Sequence, residues 1–186
     1  MEVTHELKNE HQFILKYIEL MEGYVELSQE NREENFFLEK SEYFISFIEK
    51  FADAYHHAKE EDVLFKFLQI PGVLSHCNPL PVMLSEHEQG RVYLQNMKDA
   101  VANKNVNSLY ENIHGYSELL KQHIFKEDHV LYPMAEKGMS DNNKIAVKLE
   151  YKKIEEKLSK QKIWKEYEEK YIELEKYLSS NMLTNA

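Results

Sequence analysis

One cysteine, Cys77, in 186 residues leaves no disulfide framework, and a chain that forms none suits a reducing compartment, so the cytoplasm is the expected location. Glycine and proline are scarce, at 5 and 4 residues, which disfavours a turn-rich sheet protein and favours long helices. No stretch approaches the roughly 18 consecutive apolar residues of a membrane-spanning helix. The opening MEVTHELKNEHQ is polar and acidic with no apolar run behind it, so it lacks the pattern of a signal peptide. Positive charge is in deficit, with 23 Lys and Arg against 33 Asp and Glu and a net charge of -10. Such a surface repels nucleic acid and anionic lipid, and neither is an expected partner. What these absences leave is an all-α protein large enough for one buried core.

The chain also contains one short phrase twice. His56-His57-Ala58-Lys59-Glu60-Glu61-Asp62-Val63-Leu64-Phe65 aligns with His123-Ile124-Phe125-Lys126-Glu127-Asp128-His129-Val130-Leu131-Tyr132, with five of ten positions identical. Glu61/Asp128 and Phe65/Tyr132 are conservative exchanges. Each copy holds a His followed four residues later by a Glu. On an α-helix that spacing puts imidazole and carboxylate on one face, one turn apart.

Taken in order, Leu7, His11, Ile14, Leu15, Ile18, Met21 and Val25 recur at helical steps and predict a first helix over 4–27. Residues 28–35 hold no apolar side chain and predict a turn. A second helix follows over about 36–70, with His56 and Glu60 on its apolar face, and Pro71-Gly72 ends it. A loop with His76 and Cys77 leads to Pro81, which suits the first turn of a third helix reaching about 102, with Met83 and His87 inward. An Asn-rich turn at 103–107 precedes a fourth helix carrying Tyr116, His123 and Glu127, closed near Pro133 and Gly138. The charged remainder predicts helices near 143–159 and 162–180, the second with Trp164, Tyr167, Tyr171, Leu174 and Leu178 inward. The expected organisation is an up-down-up-down four-helix bundle over 1–140 and a C-terminal helical extension over 141–186. That extension either covers the bundle or makes a homodimer contact.

Antiparallel neighbours place two residues at one height when they lie equally far from the connecting turn. The midpoint of His11 and His56 is 33 to 34, inside the polar turn. That of His56 and His87 is 71 to 72, at Pro71-Gly72, and that of His87 and His123 is 105, in the Asn-rich turn. A bundle with these turns brings His11, His56, His87 and His123 to one layer, with Glu60 and Glu127 a turn away. The dipeptides Glu10-His11 and Glu86-His87 repeat as well, so the layer has approximate two-fold character. Four imidazoles and two carboxylates in an apolar interior are costly unless something pairs them, and cations remove that cost. Two bridging carboxylates with four terminal imidazoles suit two metals; mixed nitrogen and oxygen ligands favour iron or manganese, with zinc also admissible.

The pattern His, His-x-x-x-Glu, His, His-x-x-x-Glu, with the phrases HHAKEEDVLF, EHEQGR and HIFKEDHVLYPMAE, resembles the hemerythrin-like family, the HHE cation-binding domain, over about residues 5–137. The resemblance implies a non-haem di-iron centre in a four-helix bundle. His11, His56, His87 and His123 would be terminal ligands, and Glu60 and Glu127 bridging carboxylates. Oxygen-carrying hemerythrins have a second His one turn before the third-helix ligand, where this chain has Met83, and an Asp where it has Glu127. That difference leaves a coordination position for water, a side chain, or a small ligand such as oxygen, peroxide or nitric oxide.

Other polar residues fall outside this set. The pair His57/Glu61 has the same spacing as His56/Glu60; the repeat favours the latter, which puts His57 beside the site or on a helix contact. Glu10 and Glu86 either orient the neighbouring histidines or are solvated. Lys59 and Lys126 are expected to point outward, Tyr116 to pack in the core, and His5, His114 and His129 to lie on the surface. The His76-Cys77 pair is a weak candidate for a surface metal. Two classes of function follow: a binding or sensing protein for oxygen, nitric oxide or iron, and a di-metal redox enzyme acting on peroxide or nitric oxide or in iron-cluster repair. A bundle in which the metal only staples the helices is a third.

Overall fold

Helix α1 (His5–Asn31) is long because its apolar residues recur every three or four positions without a breaker. The computed structural model describes residues 2–31, 34–74 and 77–182. The second rod starts as α2 (Glu34–Phe47), continues through π-helical segments Ile48–His57 and Glu60–Leu64, and ends in α3 (Phe65–Leu68). The third rod is α4 (Leu80–Ala102), with Pro81 in its first turn. The fourth joins α5 (Val106–Lys126), a π-helical turn Glu127–Leu131 and α6 (Tyr132–Gly138). Helices α7 (Asp141–Lys157) and α8 (Lys160–Met182) complete the described chain, which contains no strand among the described residues.

Two sequence expectations need correction. The polar segment 28–35 is not a loop from its start, since α1 continues to Asn31 and Ser28 is buried, its hydroxyl 2.7 Å from that of Tyr110. Position 33, in the first midpoint, lies outside the described residues. The second and fourth rods are also not α-helical throughout. The amides of Ala58, Phe65 and Tyr132 donate to the carbonyls of Asp53, Glu60 and Glu127, each five residues back. These wide turns occur where the repeated phrase sits, and such turns are uncommon overall and frequent at functional sites.

The rods alternate in direction because short connections join them. Between α4 and α5, Lys104 takes a φ of 53° and the Asn105 side chain accepts the Ser108 amide hydrogen, capping α5. At the end of α6 the backbone passes so close to Val73 that a Cβ on Gly138 would lie 2.1 Å from the Val73 carbonyl oxygen, so only glycine fits. The Ser140 hydroxyl then caps α7. Helix α8 packs on α1, where the Tyr17 and Tyr24 hydroxyls donate to the Tyr167 and Leu174 carbonyls at 2.7 and 3.0 Å. The extension thus covers the bundle.

Buried apolar side chains form two clusters. One contains Ile14, Phe51, Tyr55, Leu94, Tyr116 and Ile124; the other contains Leu7, Leu64, Met83, Leu131 and Tyr132. On every rod the predicted ligand residues lie between members of the two. His11 lies between Leu7 and Ile14, and His87 between Met83 and Leu94. A polar layer therefore divides the core at mid-height.

Candidate metal centre

Six side chains meet in that layer: His11 from α1, His56 and Glu60 from the second rod, His87 from α4, and His123 and Glu127 from the fourth. All are at most 1% exposed. The imidazoles face one another in two pairs, Nε2 to Nε2, with His11 and His56 at 3.0 Å and His87 and His123 at 3.0 Å. Glu60 Oε2 lies 3.5 Å from His56 Nε2 and 3.6 Å from His87 Nε2. Glu127 Oε2 lies 3.3 Å from His11 Nε2 and 3.2 Å from His123 Nε2. Each carboxylate thus spans the two imidazole pairs.

A second ring of carboxylates fixes the imidazoles from behind. The Nδ1 atoms of His11, His56, His87 and His123 lie 2.8, 2.9, 2.6 and 2.9 Å from Asp128, Glu10, Glu61 and Glu86. A carboxylate accepting from Nδ1–H fixes the ring orientation and leaves each Nε2 facing inward, where a bound cation would take the place of a proton. The arrangement follows the repeat. Glu10 and Glu86 each hold the His of the following rod, while Glu61 and Asp128, one residue after the layer glutamates, hold His87 and His11. The wide π turns make this possible, since Glu60 with Glu61 and Glu127 with Asp128 all reach the layer.

Lys59 and Lys126 do not simply point outward as expected. Lys59 is fully buried and bonds Glu10, and Lys126, partly exposed, bonds Glu86. The buried Glu10 and the partly exposed Glu86 each pair with the lysine one residue before a layer glutamate, while Arg91 pairs with Glu61. Paired duplicates at Lys59/Lys126, Glu10/Glu86 and Glu61/Asp128 were the sequence signal for this ring. Glu155 of α7 adds a further charge 3.7 Å from Lys59 Nζ, and Lys160 joins Glu155 to Glu6 at 2.7 and 2.8 Å.

Sequence reasoning missed Tyr132 as a member of the site. Its hydroxyl donates to Glu60 Oε1 at 2.5 Å and lies 3.2 Å from His11 Nε2, and its ring stacks on His11. Its repeat counterpart Phe65 stacks on His87 with no hydroxyl. His57 is buried, with its ring 3.8 Å from that of His87. Tyr116 is a buried core residue that also lines a cavity of about 10 Å³ beside His57, His87 and His123. That volume is about the minimum that holds one water. His5, His114 and His129 are exposed. His76 lies outside the described residues, and Cys77 is exposed with Sγ 4.0 Å from Met134 Sδ.

Protons carry the charge balance of these groups. Burial opposes an imidazolium at His11, but the Asp128 and Glu127 carboxylates hold it up at about 9. Burial likewise opposes one at His123, where the Glu127 charge raises it to about 10. His56, desolvated and beside His11, is pushed well below its ordinary range. Burial and the charge of Glu127 drive Glu60 upward, whereas His123 and His11 overcome burial and hold Glu127 well down. Burial raises Glu61, yet hydrogen bonds from His87 and Arg91 keep it at about 2.

Glu60 Oε2 and both Glu127 oxygens are buried without a hydrogen-bond partner. Orphaned buried carboxylate oxygens are expensive, and a cation between them and the imidazole lone pairs removes that cost. Two sets have ligand atoms all within 4.8 Å of one another: His11, His56, Glu60 and Glu127, and His57, Glu60, His87 and His123. The two sets share Glu60, and their imidazole and carboxylate donors fit a metal cation.

Imidazoles and carboxylates converging at mid-height of four helices define a metal-binding bundle. The family model of the hemerythrin HHE cation-binding domain matches residues 2–135. The chain belongs to that family, and its domain binds metal cations. No curated protein and no solved structure matches the chain. No helix among the described residues is long and apolar enough to cross a membrane.

Proposed function

We propose that the layer holds two iron ions and that the pair takes up a small diatomic ligand, oxygen or nitric oxide, to bind or sense it. The carrying observation is that Glu60 and Glu127 each contact one imidazole of both pairs, the disposition of a bridging carboxylate. His11 and His56 would terminate one position, and His87 and His123 the other. Mixed imidazole and carboxylate ligation favours iron or manganese, and zinc is the redox-inert alternative. Once bound, a redox-active pair supplies the electrons that ligand uptake needs. The protein's residues would hold the pair in place: four carboxylates orient the imidazoles, Lys59 and Lys126 balance two of them, and the two apolar clusters exclude water. The small cavity beside His57, His87 and His123, about the size of one water, is too small for a bulky substrate.

One observation favours a redox enzyme as a second reading. The Tyr132 hydroxyl, 2.5 Å from Glu60, is a proton donor inside the layer, and reduction of peroxide or nitric oxide consumes protons. Titrating the reduced, iron-loaded protein with oxygen and with nitric oxide decides between them. Binding predicts one saturable, reversible spectral change; an enzyme gives sustained consumption of ligand. No spectral response to either gas contradicts both.

A further inference from the structure

The internal repeat extends along the inward stripes of the first and third rods. Leu7, His11, Ile14, Ile18 and Met21 of α1 correspond in order to Met83, His87, Gly90, Leu94 and Met97 of α4, and all are buried. Four of the pairs match in kind and size. The fifth sets Gly90 against Ile14, in each half one turn beyond the layer histidine.

Nothing in the backbone demands glycine at position 90. It lies inside α4, and its φ is not positive, unlike that of Gly72 at 92°. A Cβ on Gly90 would meet only Tyr116 Cε2 at 3.7 Å, an ordinary contact, whereas one on Gly23, Gly115 or Gly138 would clash with Leu178, Tyr93 or Val73. A helix-interior glycine is less stable than alanine, so what Gly90 contributes is space. That space is the small cavity walled by Gly90, Leu94, Tyr116 and Leu120, which ends against His87 and His123. Its polar lining residues Asp53, Glu86 and Arg91 have side chains 27, 15 and 33% exposed, which marks the side facing solvent.

We propose that Gly90 keeps open the passage through which a small neutral ligand reaches the metal layer, arriving on its His87/His123 side. This deepens the reading of the layer as an oxygen or nitric oxide site and rests on it. The walls are apolar, and at the mouth Arg91 is outnumbered by the carboxylates it bonds, Asp53, Glu61 and Glu88. Anions are therefore repelled. A passage about the size of one water admits a diatomic molecule end-on and stops anything bulkier. In the other half Ile14 occupies the matching place, so this route serves one side of the layer only.

The test uses two variants of the full chain. Gly90→Ala adds one methyl at an ordinary contact distance, and Gly90→Ile installs the residue of the matching position. In the metal-free protein Gly90→Ala is expected to raise the thermal midpoint, because alanine favours the helix. In stopped-flow mixing of the reduced, iron-loaded chain with nitric oxide, its association rate is expected to fall several-fold. The rate in Gly90→Ile should fall about tenfold or more, since entry then requires side chains to move aside. Bound iron is expected to stay at the wild-type level in both. A readout without iron is NMR of the metal-free chain under oxygen pressure. Dissolved oxygen, being paramagnetic, should broaden the Leu94 and Leu120 methyl signals in wild type and spare them in the variants. A lower midpoint for Gly90→Ala would show that packing requires the glycine, and would overturn the inference. Unchanged association rates at full iron content would also overturn it, leaving the proposed function standing. Iron-loaded wild type that ignores nitric oxide and oxygen contradicts the proposed function; the passage then stands or falls on the oxygen broadening, whose absence in wild type overturns it.

Discussion

Lys59 shows how far a single side chain is committed to the layer. It is fully buried, its ammonium lies over the Tyr55 ring at 4.2 Å, and it bonds the Glu10 carboxylate that holds His56. Removing one partner of a buried ion pair costs about 3–5 kcal/mol, because the other charge stays desolvated. Lys59→Met should therefore lose about 3 kcal/mol in urea unfolding of the metal-free protein. Lys126→Met, on the solvent side of the equivalent pair, should change stability little. Equal losses would show that burial is not what separates the two. At the same scale, His123→Ala should strip most bound metal, while His129→Ala, whose Nδ1 bonds only the Phe125 carbonyl at the surface, should strip none. Metal analysis of both purified variants checks this. Six layer residues were legible in the sequence because ligands recur in a repeated phrase and on apolar stripes. Tyr132 was not, since an aromatic on an apolar stripe reads as core, and its hydroxyl bond to Glu60 depends on a partner 72 residues away.

Whole helices were easier to read than their ends and internal pitch. The stripes in α1, α4 and α5 and the breaks at Pro71-Gly72 and 103–107 set the bundle. The extent of α1 was missed because a run of polar residues carries no sign that Ser28 finds a buried partner. The π turns were missed because they arise from packing around the layer, not from local propensity. Element ends also carry a test. Glu136 of α6 accepts the Val3 and Thr4 amides at 2.6 and 2.8 Å and the Thr4 hydroxyl at 2.9 Å, tying the start of α1 to the fourth rod. Burial opposes its charge, but these bonds and Lys144 hold the carboxyl below its ordinary value of 4.5. A depressed carboxyl contributes stability above the unfolded value and loses it as pH falls through the folded one. Glu136→Gln should thus cost about 1 kcal/mol at neutral pH, and the difference from wild type should vanish in acid below the folded value. A gap unchanged from pH 7 to pH 3 would contradict the assignment.

Across the whole molecule, two apolar clusters meet at a polar layer that neither can stabilise alone. Cations that bind only the folded state add stability by mass action, about 2.7 kcal/mol at a hundredfold excess over Kd. For a chain of this size that is roughly 5–10 °C in melting temperature. Stripping the metal with a chelator should lower the thermal midpoint by that amount without abolishing helicity, because the aromatic cluster under α8 is intact. An unchanged midpoint would mean that the layer is not loaded. The most direct test of the shared, two-position layer is anaerobic iron(II) titration of the metal-free chain. The account predicts uptake that stops at two irons per chain, with a spectroscopic signature of coupling between them. Saturation at one, or two uncoupled irons, would contradict the bridging role of Glu60 and Glu127.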